Sequence, residues 1–145
     1  MYLISHRGNL TGPDPKNENT PEYIDEALKH VHCEVDVWRH NGALYLGHDE
    51  PQHIVPWAWF MERESQLIVH CKNIEALCLF QSTRFHYFWH DEDDYTLTSW
   101  GYIWAYPNKP VINKSLSIAV MPELHNTDVN NFLGVCTDEV LHSNL

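Results

Sequence analysis

An apolar run of strand type, "LIS" (3–5), stops at His6-Arg7-Gly8. A titratable base, a permanently charged guanidinium and a flexible residue in succession suit the rim of a site that meets an anion. In "CEVDVW" (33–38), strand alternation sends Glu34 and Asp36 to one side and Val35 and Val37 to the other. Paired acids make a poor outer surface for a strand that must pack helices, but a reasonable inner, metal-binding face. The same alternation pairs His70 with Lys72 in "LIVHCK" and Ile4 with His6 in "LISH". These early strands therefore carry ionisable groups near their C-terminal ends, where parallel α/β sheets and barrels keep their sites. Asn41-Gly42 is a strong two-residue hairpin signal, because a type I′ turn needs positive φ at both central positions. Counting back from it pairs His40 with Ala43, Trp38 with Tyr45, Asp36 with Gly47 and Val35 with His48. The hairpin thus returns His48 to the level of the acids.

Positioning these groups falls to short β-type runs at 2–5, 33–38, 43–47, 67–71, 86–89, 102–106, 117–121 and 132–136, rich in β-branched and aromatic residues. Helical pattern is scarcer. Thr20 as cap and Pro21 at the first helical position open a helix at 20–31, Asn73 caps one at 73–83, and 57–65 gives a weaker third. Strand and helix alternating over the first half read as parallel β/α units. Pro107, Pro110 and Pro122 interrupt the second half, where connections are too short for full helices. With no linker or repeat, residues 1–145 read as a single domain.

Twenty acidic residues against 9 Lys and Arg give a formal charge of −11. That field repels nucleic acid and anionic membrane, so an anionic substrate needs a bound metal or a few placed cations. Cys33, Cys71, Cys78 and Cys136 lack C-x-x-C spacing and read as reduced, mostly buried thiols, which favours the cytoplasm. No run approaches the ~18 apolar residues of a membrane helix, so no membrane insertion is expected. "HDEDD" (90–94) reads as a solvated acidic loop, and Trp57, Trp59, Trp89, Trp100 and Trp104 as core and rim packing.

The motifs "SHRG", "ENTPE", "EVDV", "NGALYLGHD" and "CKN" occur in the order seen in glycerophosphodiester phosphodiesterases, a family of the phosphatidylinositol-phospholipase-C-like phosphodiesterase barrel superfamily, which this chain resembles. The likeness is close over 3–52, fair over 67–73 and faint beyond, though "GVCTDEVL" near the end looks like a shortened version of the family's last barrel strand. It implies a compact TIM-barrel-like (β/α) barrel with few, short helices, incomplete or closed by a second copy, since missing helices would expose apolar surface and favour a homodimer. It implies His6 and His48 as general acid and base, Glu34 and Asp36 as metal ligands, Arg7 and Lys72 as phosphate contacts, and Glu18 lining the same mouth. His70 stands where the family has a third metal-binding Glu. The implied cofactor is one divalent ion, Mg²⁺, Ca²⁺ or Mn²⁺, with His70 shifting preference toward Mn²⁺, Zn²⁺ or Fe²⁺. The implied activity is hydrolysis of a small glycerophosphodiester in lipid metabolism. Two alternatives stay open: a lyase of the same fold that forms a cyclic phosphate, and a catalytically silent domain that binds phosphate-bearing ligands.

Overall fold

The computed structural model describes residues 1–142, so the last three residues of the 1–145 domain lie outside the described residues. In chain order it contains β1 (Tyr2–His6), α1 (Pro21–Leu28), β2 (His32–His40), β3 (Ala43–Leu46), β4 (His53–Val55), α2 (Trp57–Met61) and β5 (Leu67–Cys71). Then follow α3 (Ile74–Gln81), β6 (His86–Trp89), β7 (Tyr95–Leu97), β8 (Ile103–Ala105), β9 (Ser117–Val120) and β10 (Gly134–Thr137), with 3-10 turns at Lys114–Leu116 and Pro122–His125.

Strands β8, β9, β10, β1, β2, β5 and β6 lie side by side in that order, all parallel. The sheet curls into a barrel-like α/β arrangement. Its end strands, β6 and β8, share no ladder; β7 folds back antiparallel on β8 instead. Ser99 N donates to Tyr87 O at 2.8 Å and Thr96 Oγ1 to Trp89 O at 2.8 Å, tying the two ends together. The three-residue strands β4 and β7 were not expected from the sequence.

Alternation divides the apolar residues between two cores. Val35, Val37 and Val69 face outward onto Ile24 of α1, Phe60 of α2 and Phe80 of α3. Ile4, Ile68, Phe88, Trp104, Ile118 and Cys136 fill the inside of the curl. The inner residues Ile4 and Ile68 sit two positions before His6 and His70, so the polar groups continue the inner face upward. All three α-helices precede residue 82, and the expected caps are in place: Thr20 accepts from Tyr23 N, and Asn73 from Ala76 N. The later crossovers use only 3-10 turns, and Leu97, Ile112, Leu116 and Leu124 stand exposed. Of the tryptophans, Trp104 is buried inside the curl, whereas Trp57, Trp89 and Trp100 are 37%, 43% and 46% exposed. No helix among the described residues is long and apolar enough to cross a membrane. Cys33, Cys71 and Cys136 are buried free thiols, and Cys78 is an exposed one.

Asn73 does more than cap α3. Its Oδ1 also accepts from Arg39 N at 3.1 Å, and its Nδ2 donates to Arg39 O at 2.7 Å, fastening the helix start to the end of β2. Asn73→Ala is expected to cost about 2–3 kcal/mol, a cap plus two backbone contacts. Urea denaturation measures this, and a loss below about 0.5 kcal/mol, the size of an ordinary surface change, would show the contacts to be dispensable.

His86 governs acid stability at the seam. It is fully buried, stacks on Trp100 with centroids 4.5 Å apart, and bonds Thr98 Oγ1 through Nε2, while its Nδ1 has no partner. Burial first, and His32 second, push its pKa down to about 4. A folded value below the unfolded one of about 6.5 means that the unfolded chain binds the proton more readily. Stability therefore drains away as pH falls through the window from about 6.5 to about 4. Between pH 7 and 4.5 the loss amounts to about 2–3 kcal/mol. His86→Phe, which keeps the stack and removes the titration, should flatten the pH slope of the urea midpoint by that amount; an unchanged slope would contradict the assignment.

Candidate metal centre

Parallel register sets the level of every group at the top of the sheet. His6 lies opposite Glu34 between β1 and β2, and Asp36 opposite His70 between β2 and β5. Inward alternation then aims these side chains at one another. His70 Nδ1 is 3.1 Å from Asp36 Oδ1 and 3.7 Å from Glu34 Oε1, and each of the three residues offers a ligand-type atom within 4.8 Å of the others. These residues fit a cation chemically: buried Glu34 Oε2 and Asp36 Oδ1 have no aligned hydrogen-bond partner, and His70 Nδ1 is the nearest group to Asp36 Oδ1 that could carry positive charge. Unpartnered buried carboxylate oxygens are costly unless a positive charge sits among them. Burial lowers the pKa of His70, but Asp36 and then Glu34 outweigh it and push it up to about 9. Burial raises that of Asp36, and the neighbouring His70, the Arg7 charge and the Asn19 bond carry it well below the usual carboxylate range.

Behind the acids runs a polar layer. Asn19 Nδ2 donates to Asp36 Oδ2 at 2.9 Å while its Oδ1 accepts from Asp36 N, clamping that carboxylate. Arg7 Nε lies 3.1 Å from Asp36 Oδ2, within ion-pair range though not aligned as a hydrogen bond, and Nη1 lies 3.6 Å from Glu18 Oε2. Glu18 stands behind Arg7, bonded to Asn9 Nδ2 at 2.8 Å. A sharp bend makes this possible: Arg7 and Gly8 both have left-handed backbone, φ 58° and 95°. At Gly8 a Cβ would also lie 2.6 Å from Tyr23 Cδ1, so glycine is required there.

His6 has a partner that the sequence reading did not single out. Its Nδ1 is 2.8 Å from Asp138 Oδ1, an oxygen that also accepts from Asn9 Nδ2 at 2.8 Å. Since a carboxylate accepts, Nδ1 carries the hydrogen and Nε2 faces the cleft, 3.9 Å from Glu34 Oε2. Burial opposes the charged form of His6, yet the Asp138 bond and the Glu34 charge raise its pKa overall. Asp138 follows the end of β10, which neighbours β1. The Thr137-Asp138 step in "GVCTDEVL" was the available signal.

The hairpin register holds from His40–Ala43 to Val37–Leu46, and Gly47 N donates to Asp36 O at 3.1 Å. It stops short of the expected Val35–His48 pair, because β1 already occupies that edge of β2, with Arg7 N bonded to Glu34 O at 3.0 Å. His48 instead sits on the rim, 43% exposed in its side chain and bonded to Asp49 at 2.6 Å. His48, His6, Arg7, Glu34, His70 and Lys72 nonetheless line one cleft of ≈ 230 Å³. Lys72 is the one cation lining it without a carboxylate in ion-pair range, among the described residues. The acidic loop reaches the site with its first two residues: His90 O accepts from His70 Nε2 at 3.2 Å, and His90 and Asp91 both line the cleft. A larger groove of ≈ 600 Å³ beside Tyr95, Leu97 and Ile112 has no acid, base or cation other than a phenol. Compared with protein-family models, with curated proteins and with solved structures, the chain finds no match in any of the three.

Proposed function

We propose that this chain is a metal-dependent phosphodiesterase that hydrolyses a small glycerophosphodiester, built as a shortened (β/α) barrel. The observation that carries the reading is the cluster of Glu34, Asp36 and His70 at the C-terminal strand ends, beside a cleft lined by Glu34, His70 and the Asp138-held His6. A divalent ion held by Glu34, Asp36 and His70 would supply positive charge to the phosphate oxygens and to the charge that develops on phosphorus. Lys72, free of carboxylate partners, meets the phosphate. Arg7 lines the cleft but spends Nε and Nη1 on Asp36 and Glu18, so it also holds the acids in place. His6 Nε2 takes a proton from attacking water as the new P–O bond forms. His48 gives one to the departing alcohol as the old P–O bond breaks, leaving a phosphomonoester. The cleft is smaller than the ~300–1,000 Å³ of drug-sized sites, which suits a phosphate with one small alcohol and leaves the second at the rim.

Phosphorus NMR of a glycerophosphodiester incubated with protein and divalent metal tests the reading. A phosphomonoester product is expected. A cyclic phosphate would make the chain a lyase, and absence of turnover with Mg²⁺, Ca²⁺, Mn²⁺, Zn²⁺ and Fe²⁺ would leave only a silent binding domain.

A further inference from the structure

We infer that the Glu34–Asp36–His70 centre is a d-block metal site, ligated by His70 through Nδ1 and selective for Zn²⁺, Mn²⁺ or Fe²⁺ over Mg²⁺ and Ca²⁺. The inference rests on the metal centre of the proposed function but not on its reaction.

Three observations carry it. The first is the tautomer. His90 O is a carbonyl and can only accept, so His70 Nε2, 3.2 Å away, must be the protonated nitrogen. Nδ1 of the neutral ring is then a lone pair, and it points at Asp36 Oδ1 (3.1 Å) and Glu34 Oε1 (3.7 Å). Once an ion takes the place of the Nδ1 proton that the two acids favour in the metal-free site, three electron pairs converge on it. This is the arrangement of metal-ligating histidines, whose remote N–H is fixed by a carbonyl or carboxylate.

The second is the donor count. Asp36 Oδ2 is committed to Asn19 and Arg7, so Asp36 has Oδ1 left to give, and Glu34 has its two oxygens. Ca²⁺ wants about 6–8 oxygen ligands and Mg²⁺ an octahedron of oxygens. Few carboxylate oxygens serve Ca²⁺ poorly, and although Mg²⁺ makes up its octahedron with waters, an imidazole nitrogen in place of an oxygen disfavours both, whereas imidazole is a preferred ligand of Zn²⁺ and Fe²⁺. Spacing alone would suit any small ion; the nitrogen does the selecting.

The third is rigidity. The His70 ring stacks on Phe88 with centroids 4.7 Å apart, and its side chain is 11% exposed. The stack and the burial hold the ring toward the acids, and the two carboxylates balance one divalent ion without the excess negative charge a third would add.

Titration of the full chain with ZnCl₂, MnCl₂, MgCl₂ and CaCl₂ by calorimetry, with histidine ¹⁵N NMR, reads the inference without any activity assay. Expected is one site preferring Zn²⁺ or Mn²⁺ to Ca²⁺ by at least about 100-fold, with the His70 Nδ1 resonance moved by Zn²⁺ and Nε2 still protonated. His70→Glu should narrow the Zn²⁺ to Ca²⁺ ratio by on the order of 10–100-fold. Equal affinities in the wild type, or Zn²⁺ bound with His70 Nδ1 unmoved, would overturn it. Should the variant fail to fold, the wild-type NMR decides alone. The two readings fail separately: selective binding without diester cleavage would sink the phosphodiesterase, and cleavage supported by Ca²⁺ or Mg²⁺ as well as by Zn²⁺ would sink the selectivity.

Discussion

Replacing Arg7 by methionine is expected to lower the unfolding free energy of the metal-free protein by about 3–5 kcal/mol, the cost of removing one partner from a buried ion pair. Arg7 is 3.1 Å from Asp36 and 3.6 Å from Glu18, and Asp36, Glu34, Glu18 and Asp138 together outweigh its burial to raise its pKa. Without the guanidinium, those four acids face one another with only histidines to neutralise them. Either one carboxyl takes up a proton or the fold gives way, and both show as lost stability at pH 7. Methionine matches the aliphatic stem, so lost packing contributes little. A divalent ion returns the missing charge. Zn²⁺ or Mn²⁺ should therefore stabilise Arg7→Met by more than it stabilises the wild type, a coupling that urea denaturation with and without metal reads directly. A loss under about 1 kcal/mol, as for an exposed pair, would mean that solvent already screens the acids.

How much of this centre could be read in advance depended on the range of the pattern that encodes it. Glu34, Asp36 and His70 were legible because alternation is local and because adjacent parallel strands place their C-terminal residues at one level. Both caps, Thr20 and Asn73, were legible for the same reason, and Pro107, Pro110 and Pro122 announced the helix-poor second half. Asp138 was not. It lies 132 residues from His6 and reaches it only because β10 closes beside β1, which no short window reports. Asn19, a left-handed residue at φ 61° in a loop, clamps Asp36 for a similarly non-local reason. His48 shows the opposite error: the hairpin count is right turn by turn, yet a strand edge already taken by β1 ends it one pair early. Trp104 and Trp100 differ in burial although the residue type is the same, because one falls on an inward position of a strand and the other in a turn.

His6→Ala is expected to reduce turnover of a glycerophosphodiester by about 10²–10⁴-fold, the usual contribution of a placed general acid or base. Asp138→Asn should also lower turnover without touching the cleft, by as much as His6→Ala only if its amide turns. The aspartate accepts the Nδ1 hydrogen of His6 and so keeps Nε2 free to take a proton. An asparagine can turn its amide to donate instead, which would place the hydrogen on Nε2 and leave no base facing the substrate. Asn9 works against that turn, because its Nδ2 donates to the same Asp138 oxygen at 2.8 Å and needs an acceptor there; an unturned asparagine would still accept from both His6 and Asn9 and lose only the negative charge that helps raise the pKa of His6. Histidine ¹⁵N NMR reports which His6 nitrogen carries the hydrogen: a switched tautomer should accompany a loss as large as that of His6→Ala, and an unswitched one a smaller loss. Because the two residues act as one unit, the double variant should be no slower than His6→Ala alone. Metal affinity should be little changed in either variant, since neither residue belongs to the Glu34–Asp36–His70 set. Wild-type turnover in His6→Ala, with metal bound normally, would remove His6 from the mechanism; full turnover in Asp138→Asn would reduce the 2.8 Å contact to a structural tie between the first strand and the last.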